Sequence, residues 1–139
     1  TDYSWLEGSI PEADFQRLQS MTSDPQAQAF HDIQARNLAR LSQEGMTIAM
    51  GTDGNTPWGP HVEMEDMAEA GMSPGDVIVA ATSNAAELLG LDDMGTLEAG
   101  KSADFVVLEA NPLDDITNTR QIASVYLRGE AVDRDNFMW

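Results

Sequence analysis

One short run, MTIAMG at residues 46–51, constrains the fold more than any other part of the chain. It follows directly on Gly45, is too short for a helix, and is apolar on both faces, as a strand covered on both sides of a parallel sheet would be. Upstream, Ser23-Asp24-Pro25 sets a capping carboxylate before a proline at the first helical position. At about 100° per residue, Ala27, Phe30, Ile33, Leu38 and Leu41 share one arc, and Gly45 supplies the C-terminal stop. Helix, tight glycine turn and buried strand are the grammar of an α/β fold. The expectation is therefore a strand over residues 46–51, buried on both faces, with an amphipathic helix packed beside it.

Residues 1–21, with Trp5, Leu6, Phe15 and Leu18 among turn formers, read as a loop with a short helix. HVEMEDMAEAG predicts a helix closed by Gly71, Ser73-Pro74 opens a second through VIVAA, and SNAAELLG forms a third ending at Gly90. From Gly95 the pattern changes. Short Val-rich runs bounded by Gly and Asn-Pro predict a small β unit, with Arg128-Gly129-Glu130 as a hairpin turn. The boundary falls near Asp92.

An apolar content of 42% over 139 residues suffices for a core and argues against disorder of the whole chain. No run approaches the roughly 20 apolar residues of a membrane span, and no leader precedes Thr1, so a soluble product without a membrane partner is expected. The absence of cysteine excludes disulfides and thiolate metal ligands and makes a reducing, cytoplasmic compartment the default. With 24 acidic residues against 7 basic ones, net charge −17, the chain would repel nucleic acid.

In parallel α/β proteins functional groups gather at the carboxyl ends of strands, and Asp53 lies just beyond such an end. The same carboxylate could instead cap the following helix or hold a turn. A calcium loop starting at Asp53 is ruled out: Asn55 fits the third place, but Pro57, Trp58 and Met64 stand where the fifth, sixth and twelfth need other residues. His61 falls in the first turn of a helix, with Glu65 as an ordinary i,i+4 partner. Trp58 can wall a pocket or anchor the loop. His31, at the edge of the amphipathic arc, is a packed or surface imidazole, and the methionines at 46, 50, 64, 67 and 72 are core fillers.

GTDGNTPWGPHVEMEDMAEAGMSPGDVIVAATSNAAELLGL, followed by GTLEAGKSADFVVLEANPLDDI, closely resembles the C-terminal third of metal-dependent amidohydrolases, in the branch around imidazolonepropionase and Xaa-Pro dipeptidase-like enzymes. The likeness runs over about residues 37–133. It implies the last helix and strand of a (β/α)8 TIM barrel with its closing helices over residues 1–92, and the C-terminal part of a composite β-sandwich over residues 93–139. It further implies that Asp53 is both metal ligand and general base, beside one or two divalent ions, zinc by preference, in hydrolysis of an amide, peptide or cyclic amide. His61, Trp58 and Asn55 become substrate-contact candidates, and Lys101 a structural residue of a sandwich turn.

The family's His-x-His pair, its lysine or glutamate ligand and its two further histidines have no counterpart here. A barrel alone takes on the order of 250 residues. The expected partners are thus a small amide or peptide substrate, a missing N-terminal barrel segment or partner chain, and other copies of this chain. A binding or assembly module that has lost the chemistry is the alternative. A phosphoacceptor receiver domain is disfavoured, because its acidic pair and later lysine are absent.

Overall fold

The computed structural model describes residues 2–22, 24–54, 56–134 and 136; Ser23 and Asn55 lie outside the described residues. A short 3₁₀ turn, Ser4–Leu6, leads into α1 at Glu12–Ser20 and α2 at Pro25–Gln43. Asp24 caps α2 as its sequence suggests: its carboxylate accepts the Gln26 amide at 3.0 Å, ahead of the proline at the first turn. At the other end Gly45 takes φ 78°, the left-handed conformation that lets the chain leave the helix.

The helices α3 (Gly59–Glu69), α4 (Pro74–Ala81) and α5 (Ser83–Leu89) follow. Ser73 caps α4 reciprocally, accepting the Asp76 amide at 3.1 Å while its hydroxyl donates to the Asp76 carboxylate at 2.6 Å. Between α4 and α5, the Thr82 hydroxyl bonds back to the Ile78 carbonyl at 2.6 Å, and the backbone breaks there. Gly90, at φ 68°, closes α5.

A three-stranded antiparallel sheet of β1 (Phe105–Leu108), β2 (Ile122–Leu127) and β3 (Glu130–Ala131) completes the chain in the order β1-β2-β3. The expected hairpin turn is present. Arg128 and Gly129 both have positive φ, 53° and 83°, as a two-residue turn between twisted strands requires. The Asp104 carboxylate accepts the Arg128 amide at 2.6 Å, which holds its pKa below the ordinary carboxylate value. The 3₁₀ helix Ile116–Arg120 lies between β1 and β2 and packs on α3.

The core consists of Met64, Met67, Met72, Val77, Ala80 and Ile116, with Leu38, Ile48 and Met50 against it. The methionines of α3 and the following turn are the gap fillers expected. Met46 is not: it is 57% exposed.

Two expectations need correction. Residues 46–51 form no strand and are not buried on both faces. A strand needs a neighbour's ladder, and among the described residues none runs beside this segment. Its backbone turns to the helices instead: the Met50 amide donates to the Ala80 carbonyl at 2.9 Å, and the Asn84 side-chain amide donates to the Ile48 carbonyl at 2.8 Å. The second correction concerns α2, whose apolar arc is largely uncovered, with Phe30 62% and Ile33 48% exposed.

Candidate active site

Beyond Met50 the chain folds into a closed loop before α3. The Thr52 hydroxyl donates to the Gly54 carbonyl at 3.2 Å, and the Gly59 amide donates to the Thr56 carbonyl at 3.0 Å. Gly59 sits close at the end of this loop: a Cβ there would come 3.1 Å from Thr56 Oγ1 and 3.7 Å from Thr52 Cγ2. Asp53 stands exposed in the loop. It does not cap the following helix, because Trp58 is the N-cap residue of α3 and no side chain bonds there. Trp58 is half-buried, and its carbonyl accepts the His61 and Val62 amides at 3.1 and 3.3 Å. Asn55, the third loop candidate, lies outside the described residues.

His61 does sit in the first turn of α3, but its partners are remote in sequence. Its Nδ1 lies 3.2 Å from Thr119 Oγ1, and its ring meets Trp5 edge to face with centroids 5.9 Å apart. Arg120 stacks over that same Trp5 at 4.4 Å from the ring centroid and pairs with Glu65. The expected His61–Glu65 pair is therefore replaced. Glu65 turns to Arg120, whose side chain is only 15% exposed, because leaving a desolvated guanidinium unpaired costs several kcal/mol whereas an exposed i,i+4 pair contributes about 0.5 kcal/mol or less.

Burial lowers the pKa of His61, and the neighbouring Arg120 charge lowers it further. His61 is accordingly a neutral imidazole at pH 7, as an acceptor or ligand must be. Burial, with Asp66 nearby, raises Glu63. Trp5, Thr119 and Arg120 are the members of this cluster that sequence reasoning missed. Their separation from α3, 55 residues for the Arg120–Glu65 contact, leaves no local spacing signal.

His31 is exposed on α2. The Lys101 backbone amide donates to the Glu98 carbonyl at 3.1 Å in a turn. Among the described residues no group of three or more His, Asp or Glu side chains could hold a metal ion. A single exposed carboxylate does not fit a divalent ion by itself. The shallow depression lined by Ser4, Glu12, Phe15 and Gln19 includes none of the candidates.

Comparison with known proteins gives these features a context. Residues 19–132 match the sequence profile of the amidohydrolase family. The chain is 40% identical over 93 residues to ochratoxinase of Aspergillus niger, covering 64% of this chain and 19% of that protein. It is 34% identical over 98 residues to imidazolonepropionase of Deinococcus radiodurans, covering 65% of this chain and 25% of that enzyme. Among solved structures, a Xaa-Pro dipeptidase with methionine bound in its active site superposes with a TM-score of 0.64 at 31% identity, over 70% of this chain and 25% of that one. The chain thus spans about a fifth to a quarter of the length of the relatives it matches. With the family profile covering most of its residues, the chain belongs to the amidohydrolase family.

Proposed function

We propose that this chain is the C-terminal portion of a metal-dependent amidohydrolase that cleaves amide, peptide or cyclic amide C–N bonds, with Asp53 as metal ligand and general base. The observation that carries the reading is the placement of Asp53. It is exposed directly after the apolar segment 46–51, in a loop closed by its own threonines, and is not spent on capping α3. In this reading residues 1–92 belong to a TIM barrel and residues 93–139 to a composite β-sandwich. Segment 46–51 becomes the last barrel strand once a neighbouring strand supplies its ladder. The one carboxylate here is joined by ligands from the remainder of the enzyme, zinc being the ion the family resemblance favours.

The chemistry assigned to this chain's own residues is proton transfer. The Asp53 carboxylate takes a proton from the attacking water and delivers it to the departing nitrogen, which must leave as a neutral amine. Trp58, Asn55 and His61 flank that point in sequence and are the proposed substrate contacts. The test compares the 139-residue chain with a version completed by the missing barrel segment. The chain alone should bind zinc weakly and hydrolyse no amide, and completion should bring both properties back. Full hydrolysis by the chain alone would overturn the division of ligands.

A further inference from the structure

Thr119 is buried, 6% exposed, and its hydroxyl touches two groups: the Ile116 carbonyl at 2.9 Å and His61 Nδ1 at 3.2 Å. A hydroxyl has one proton to give. The Ile116 carbonyl can only accept, so the Thr119 proton goes there; turned toward His61 instead, it would leave two oxygens facing lone pair to lone pair at 2.9 Å, in a place too buried for water to reconcile them. What Thr119 then offers His61 is an oxygen lone pair. Nδ1 must carry the hydrogen.

We infer that Thr119 is a positioning residue that fixes His61 as its Nδ1–H tautomer and leaves Nε2 as an acceptor. A proton on Nε2 as well is opposed by the surroundings. Burial lowers the His61 pKa, and so does Arg120, whose charge is balanced by Glu65 and also acts on Asp2 and Asp115. The functional consequence rests on the proposed hydrolase reading: a substrate meeting His61 there must bring a donor, such as the N–H of a secondary amide or peptide.

The chain has two histidines, His31 and His61. Long-range ¹H–¹⁵N correlation spectra of the ¹⁵N-labelled 139-residue chain at mildly alkaline pH therefore read the tautomer directly, with His31→Gln assigning the two rings. The expected spectrum shows a protonated Nδ1 and an unprotonated Nε2 for His61. Thr119→Ser, which keeps the hydroxyl, should preserve that pattern, and Thr119→Val should shift His61 toward the Nε2–H form. An Nε2–H tautomer in the wild-type chain would overturn the inference, as would a Thr119→Val spectrum that keeps the Nδ1–H pattern. Should Thr119→Val fail to fold, the wild-type and Thr119→Ser spectra still decide. No turnover enters this readout, so failure of the Asp53 assignment would leave it untouched, and the reverse also holds.

Discussion

At His61 a ring in the first turn of α3 is gripped by a residue 58 positions further along the chain. This packing has a pH consequence. The ordinary histidine pKa is 6.5, and burial together with Arg120 sets the folded value below it. Between those two values the unfolded chain binds more protons than the folded one, so stability present above pH 6.5 is lost as pH falls through the folded value. Denaturant unfolding of wild type and His61→Gln at neutral and mildly acidic pH checks this. Wild type should lose more stability on acidification than the variant. The raised pKa of Glu63 acts in the opposite direction in both proteins and cancels in the comparison.

Element by element, what was legible in the sequence was whatever depends on near neighbours. The Asp24 and Ser73 caps, the glycines at 45, 71 and 90 that end α2, α3 and α5, and the Arg128-Gly129 turn all act within a few residues, and all are present. The strand expected over residues 46–51 does not form, because a ladder depends on a neighbour that the local sequence does not contain. The Glu65 partner failed for the same reason: Arg120 arrives from the far side of the sheet connection and outweighs an i,i+4 contact. Around His61, its first-turn position could be read, but the grip of Trp5, Thr119 and Arg120 could not. Gly95 offers an element-scale test. At φ 85° it lets the loop before β1 press on the α4–α5 junction, where a Cβ would meet Ala86 Cβ at 2.6 Å and Ser83 Cα at 3.0 Å. Gly95→Ala should cost roughly 2–5 kcal/mol, left-handed strain plus overpacking, measured by chemical denaturation. A loss under about 0.5 kcal/mol, the range of ordinary surface changes, would show that the junction yields freely.

Taken whole, the molecule carries more apolar surface than its core absorbs. Leu88, Leu89 and Leu97 are each at least 70% exposed, and Phe30 and Leu127 more than half. Such surface favours association, whereas a net charge of −17 opposes it. Salt weakens the second term and not the first. Sedimentation velocity should therefore show the chain associating, more strongly as ionic strength rises. A compact 15.1 kDa monomer at all salt concentrations would contradict this.

No helix among the described residues is long and apolar enough to cross a membrane; as the C-terminal portion of an amidohydrolase, the chain would set its uncovered faces against the rest of that enzyme. Whether Asp53 is the base is decided by Asp53→Asn in the completed enzyme, with steady-state turnover and bound metal measured together. An amide matches the carboxylate in shape but cannot take a proton. Fold and much of the metal should persist while turnover falls about 100-fold or more, the contribution of a positioned base. Near-normal turnover in that variant would make Asp53 an ordinary loop residue rather than the base.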